Sequence, residues 1–279
     1  MITQSMNMQN IREILANATR LGGKTPAQLN IIFENWNTAA QIADQLAPAD
    51  LPDIADQIAT ATPKTLAKLI ETAATQAVIA DRAREIVMST QGYITHMLVQ
   101  ELRGSAGGQL ISSLRSTFDT AAAGIAACPF SPDTAMQPTR VIELGDEAVH
   151  ALRTLPDHAA VLTTIYMRVV LPLAGHLQLL PEPVDCPNGA RYVAMVIDPN
   201  HNTNLAKATL SYNSAAGTGE PGAGWHRLAT SGFRLRLNTP AEATELIEQW
   251  NESVAEQQRN REAKAAEATA ALREAVATR

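Results

Sequence analysis

Apolar residues recur three and four positions apart through most of the first 127 residues, the period of helices with one buried face. Ile11, Ile14, Leu15, Ala18 and Leu21 share such a face, and Gly22-Gly23 supplies a C-terminal stop. Thr25-Pro26-Ala27-Gln28 reads as a capping box. It opens a helix whose stripe is Leu29, Ile32, Phe33, Trp36, Ala40, Ala43 and Leu46. Asp50 is placed to cap a short helix carrying Ile54 and Ile58. Thr62-Pro63 starts another, with Leu66, Leu69, Ile70, Ala73, Ala77, Ala80 and Ile86 inward. A helix over 93–102 follows. The Gly-rich run 104–108 is then a joint, with Ser105 as N-cap, before a helix through Leu110, Ile111, Leu114, Phe118 and Ala122.

The pattern breaks at 128–139, where Pro129, Pro132 and Pro138 fall too densely for a continuous helix. Beyond it, 140–144 reads as a strand and 146–154 as a short helix. The run 161–171 leaves strand and buried helix both open. Residues 192–197 form an apolar run and 198–204 are dense in turn formers. In 205–212, Ala206, Ala208, Leu210 and Tyr212 alternate with Lys207, Thr209 and Ser211. A hairpin is the expectation, extended by strands at 225–230 and 233–237 into a small antiparallel sheet with one wet face.

Residues 239–279 read as one long helix. Thr239-Pro240-Ala241-Glu242 is a capping box with Pro at the first helical position, and no Gly or further Pro follows. Its apolar positions are unevenly spread. Ala243, Leu246, Ile247, Trp250 and Val254 form a stripe over the first four turns, suited to docking on the chain's own body. Residues 256–264 are polar on every face apart from Ala263. Ala265, Ala268, Ala271, Leu272, Ala275 and Val276 then form a thin seam. That seam either faces solvent or receives a partner helix or a second copy, small residues allowing close approach.

Composition sharpens this picture. Of the 279 residues 46% are hydrophobic but only 4% aromatic, and Ala is abundant, which favours closely packed helices. The net charge of −6, with no run of Lys or Arg, argues against a grip on nucleic acid. Two cysteines, Cys128 and Cys186, are too few for a disulfide framework and read as free thiols. No signal-peptide pattern opens the sequence, and no run of about 18 apolar residues suggests a membrane span. A cytoplasmic protein, or one within a particle assembled there, is expected.

Catalytic and ligand signatures fail on their context. Gly217-x-Gly219-x-x-Gly222 matches a dinucleotide loop, but it leads toward an expected strand at Trp225 and contains Glu220. The run 104–108 lacks the Lys-Ser/Thr of a phosphate loop, having Gln109-Leu110 instead. Asp198, Asn200, Asn202 and Asn204 alternate as a calcium loop begins, yet Thr203 and Thr209 replace the required Gly and Glu. Asx turns explain those residues without a metal. The six histidines (96, 150, 158, 176, 201 and 226) form no zinc spacing. No catalytic residue, cofactor or metal ligand is assigned.

The expected fold is mostly α with a smaller α+β part. It comprises a helical domain (1–127), a Pro-rich connector (128–139), a mixed part with an antiparallel sheet (140–238) and an extended C-terminal helix (239–279). The expected function is that of a non-enzymatic structural or assembly protein, a subunit of a larger complex such as a viral particle. Its partners are other protein subunits, self or heterologous, with no membrane. Interaction candidates are Trp250, Val254, Ala265, Ala268, Leu272 and Val276. The alternative is an enzyme or small-ligand binder with a site in the 185–236 sheet region, near Asp198, His201, Trp225, His226 and Arg234. A third option is an adaptor binding a partner's helix in a groove of the N-terminal bundle.

Overall fold

Helix succeeds helix through the whole described chain. The computed structural model describes residues 7–45, 63–135, 137–216 and 223–277. The described residues are 79% helical, with no strand or sheet among them. Two compact units are present, one of Met1–Thr25 with Arg103–Arg279 and the other of Pro26–Leu102.

The larger unit begins with α1 (Met8–Arg20). Ile11, Ile14, Leu15 and Ala18 are buried, as the periodicity requires. The helix ends as its glycines predict. Gly22 has φ +85°, the Gly22 amide donates to Thr19 O and the Gly23 amide to Ala18 O (3.0 and 2.8 Å), so the last carbonyls are satisfied. After Gly104, α4 (Ser105–Ser113) and α5 (Arg115–Ala126) follow. The N-cap of α4 is Gly104 rather than Ser105, and no side chain caps it.

Helix α5 packs on α8 (Asp146–Ile165). Small residues set the spacing: a Cβ added at Gly124 would lie 2.3 Å from His158 Nε2. Helix α8 continues through a π-helical turn (Tyr166–Val170) into α9 (Leu171–Leu177). Pro172 lacks the amide needed for a regular helical bond and crowds the carbonyl of Arg168, and a widened turn relieves both. The run 161–171 is therefore helix. The segment Asp146–Leu177 contains an 18-residue stretch of mean hydropathy 1.4 and, by length and composition alone, could cross a membrane, which the sequence reading did not anticipate. In the fold it is a core element, with Leu162, Ile165, Val169 and Val170 fully enclosed.

The expected antiparallel sheet is absent, and each strand has a physical correction. Residues 140–144 belong to α7 (Pro138–Glu143), after the single turn α6 (Pro132–Ala135). Residues 192–197 open with α10 (Ala190–Val193). The supposed strand 205–212 lies in α11 (Leu205–Ala216). Its buried residues, Leu205, Ala208 and Thr209, follow a helical spacing, and Asn204 Oδ1 accepts the Lys207 amide at 2.8 Å in the manner of an N-cap. The apparent alternation does not match this face, since Leu210 is exposed and Thr209 is buried. Trp225 lies in α12 (Ala223–Thr230). Only 233–237 is extended, with Phe233, Leu235 and Leu237 buried. It makes one isolated antiparallel bridge, Ile197 with Leu235, flanked by the Asp198 amide to Arg234 O and the Arg236 amide to Val196 O (2.8 and 3.0 Å).

The few aromatic residues are concentrated. Trp225 meets Phe118, Tyr166 and Tyr212 edge to face at 6.2, 5.5 and 5.1 Å, and its indole N–H donates to Thr163 Oγ1. The unit closes with α13 (Pro240–Ala277), 38 residues long.

The smaller unit contains α2 (Ala27–Gln45) and α3 (Pro63–Arg103), the latter an unbroken 41 residues. The Gln28 amide group donates to Glu101 (3.4 Å) rather than closing a capping box. Leu29 is buried; Ile32, Phe33, Trp36 and Ala40 are half-buried. The expected helix at Asp50, Ile54 and Ile58 lies outside the described residues, as do Leu46 and the side chains of Ala43, Leu66 and Ala73.

Candidate functional site

The root of α13 is built from the sequence's best local signal. Glu242 accepts the Thr239 amide and hydroxyl (2.7 and 3.0 Å), and the Glu242 amide donates to Thr239 Oγ1 (3.3 Å). Two arginines converge on the same carboxylate. Arg115 of α5 pairs with Oε2, and Arg236 donates to Oε1 at 2.8 Å. Arg115 Nε also donates to Leu237 O (2.9 Å), tying α5 to the segment entering the helix. Burial pushes the Glu242 carboxyl upward, but the Thr239 hydrogen bonds and the two guanidinium groups outweigh it and leave it below its ordinary value.

Along α13, Ala243, Leu246 and Ile247 are fully buried, and Trp250 and Val254 are half-buried. Trp250 Nε1 donates to Val184 O (2.8 Å), while Asn251 Oδ1 accepts the Val184 amide (2.7 Å), so both polar groups of one peptide residue are held by the helix. From Ala255 to Ala270 every residue is exposed, Ala265 and Ala268 included. The side chains of Leu272 and Val276 lie outside the described residues.

Helix α3 carries a surface that the sequence reading missed. Its buried line is Ala80, Val87, Ile94, Leu98 and Leu102. Ile70 and Ile86, expected inward, are 48% and 58% exposed. Ile79, Ile86, Tyr93 and Met97 stand exposed, and with Ala83 and Thr90 between them they follow a four-three-four-three-four spacing, the heptad seam of a coiled coil. That signal was present in the sequence. Two apolar lines about 110° apart on one helix had been merged into one, given 100° per residue.

The alternative ligand site does not assemble. Trp225 is enclosed by its aromatic neighbours. His226 is buried, its Nε2–H donating to Phe130 O (2.9 Å), with its pKa lowered chiefly by burial. His201 is exposed. Only Asp198 and Arg234 share a hollow, of about 600 Å³, between α5, the end of α12 and the extended segment. Its walls are Ala122, Ala126, Ala229, Phe233 and Leu235, and Asp119 and Arg236 complete its charged lining. Asp198 is nearly buried, with its oxygens 3.6 Å from Arg234 Nε and 3.8 Å from Arg236 Nη1. It also accepts the Asn200 amide (3.0 Å), and Asn202 the Asn204 amide (3.2 Å), so both are Asx turns.

Among the described residues no group of three or more His, Cys, Asp or Glu side chains could hold a metal. Burial raises the thiol pKa of both free cysteines, Cys186 to about 11 with help from Asp185, so neither is an activated nucleophile. The Gly217–Gly222 loop lies outside the described residues. No protein-family model matches the chain, and comparison with curated proteins and with solved structures gives no match.

Proposed function

We propose that this protein is a structural subunit that associates with other protein subunits through unpartnered faces of its two long helices. The observation that carries this reading is the exposed heptad seam of α3: Ile79, Ile86, Tyr93 and Met97 are 58%, 58%, 65% and 38% exposed. Exposed large apolar residues scattered singly need no explanation, but four of them aligned at coiled-coil spacing are characteristic of a contact surface. Arg82 and Glu85, an exposed ion pair one turn away, keep the flank of the stripe polar, as the rim of an interface requires. Helix α13 contributes a second such element, rooted at Glu242 and Trp250 and open to solvent beyond Ala255.

The test is mass by multi-angle light scattering on the full chain and on the Ile79→Glu/Ile86→Glu variant, across a range of concentration. The intact chain is expected to exceed the mass of a monomer as concentration rises, and the variant to remain monomeric with an unchanged melting temperature. A full chain that is monomeric throughout and captures no partner subunit overturns the reading.

A further inference from the structure

The hollow beside Asp198 and the outer part of α13 are complementary in charge and size, and we infer that the hollow of one copy receives the outer α13 of a second copy. This rests on the assembly reading above and names the partner and the contact. The walls presented by α5 and α12 are mostly alanine, Ala122, Ala126 and Ala229, which permits a helix backbone to come close. The outer α13 is also built of small residues, Ala263, Ala265, Ala266 and Ala268, all exposed.

The charges decide the fit. Asp119 is exposed on the rim of the hollow and forms no ion pair among the described residues. Across from the α5 wall, Arg234 is 75% exposed, engaging Asp198 only through Nε. One acidic and one basic group therefore flank an apolar floor of Phe233 and Leu235. On α13, Arg261 and Glu262 precede Ala265 by four and three residues and so straddle it, one on each side of the seam. Seating Ala265 and Ala268 on the floor brings Arg261 to Asp119 and Glu262 to Arg234. Glu262 holds only an exposed amide contact, from Gln258 at 3.2 Å, which it can exchange for the guanidinium.

The donor helix must come from another molecule. Arg236 and Leu235 line the hollow within five residues of the start of α13, and Arg261 lies about 30 Å along the helix axis from that start at 1.5 Å per residue. An unbroken helix cannot return over that distance. The contact is thus head to tail, joining unlike surfaces, and propagates to a ring or a filament.

Sedimentation velocity on full-length chains tests this. Asp119→Arg and Arg261→Glu are each expected to weaken association about tenfold, with near-ultraviolet circular dichroism unchanged. The double variant Asp119→Arg/Arg261→Glu, and an equimolar mixture of the two single variants, are expected to recover the assembly of the intact chain. Asp119→Asn should move association in the same direction by less. If Asp119→Arg and Asp119→Asn associate as the intact chain does while Ile79→Glu/Ile86→Glu does not, the hollow is not the acceptor and the assembly reading stands alone. If the intact chain is monomeric at every concentration and captures no partner, both fall.

Discussion

The two long helices, α3 and α13, are nearly equal in length, at 41 and 38 residues, yet they leave opposite things uncovered. On α3 the exposed face is apolar and bulky, and it runs beside a buried line on the same helix. On α13 the apolar residues are spent in the first four turns, and what lies exposed from Ala255 to Ala270 is charge, amide and alanine. Length alone does not make a helix an interaction element. Where its large side chains fall relative to the anchored face does, because association needs desolvated apolar area and a polar spacer supplies little. The α3 surface is suited to strength, and the α13 surface to selective pairing through charge.

That contrast can be broken most severely within α3 itself. Leu98→Ala on the buried line should cost roughly 2–5 kcal/mol, read as a fall in the denaturation midpoint. Ile86→Ala, with its side chain already in water, should change stability by less than about 0.5 kcal/mol and register only in association. Equal losses at the two positions would mean that the seam is covered by the chain's own structure.

A comparable break at α13 is a chain ending at Gln249, which removes Trp250 and Asn251 from Val184 and should lower stability by roughly 2–4 kcal/mol while abolishing assembly. A chain ending at Lys264 should melt as the intact protein does and lose only association. Matching melting curves for both truncations would show that the α13 root does not depend on Trp250.

The root has its own pH signature. The Glu242 carboxyl is held below its ordinary value of 4.5, so its ionised form is preferred in the folded chain. The stability this contributes is present above pH 4.5 and is lost as the pH falls through the depressed value. Arg115→Ala should shrink that acid-sensitive component. His226 behaves with the same sign at higher pH: its pKa is lowered from 6.5, so folding favours the neutral ring and loses stability as the pH drops below that value. Comparing acid titrations of the intact chain, Arg115→Ala and His226→Gln separates the two components. Away from both long helices, Gly23→Ala should cost about 1–3 kcal/mol without altering association, since its Cβ would meet the Ala18 carbonyl at 2.9 Å and Leu114 at 2.8 Å.

Much of the fold was legible where the signal is local. The Gly22-Gly23 stop, the α1 face and the Thr239–Glu242 box each involve residues a few positions apart, whose geometry the backbone itself imposes. The errors lie where local signals compete. Residues 205–212 contain Ala, Lys, Leu, Ser and Thr in an order that satisfies either period, and only the placement of Leu205 and Asn204 separates a capped helix from a strand. Residues 233–237 alternate as a strand does, with Leu235 inward and Arg236 outward. They nevertheless find a single bridging partner, because 192–197 begins as helix. The interaction candidates divide in the same way. Trp250 and Val254 reach the anchored face, Ala265 and Ala268 stay in solvent, and the α3 seam went unread because two stripes on one helix blur into one.

By itself the sequence determined the helical character of the described N-terminal part and of the last segment, the Gly22-Gly23 stop, the Thr239–Glu242 box and the apolar stripe of the first turns of α13, since these depend on spacing and propensity within a few turns. Tertiary structure decided which of the apolar stripes is buried, gathered Phe118, Tyr166, Tyr212 and Trp225 into one cluster, and set Asp119 and Arg234 on the same hollow. Those outcomes depend on residues up to 115 positions apart along the chain (Asp119 to Arg234). No local period encodes which distant surfaces meet, because that choice is made by the packing of whole helices.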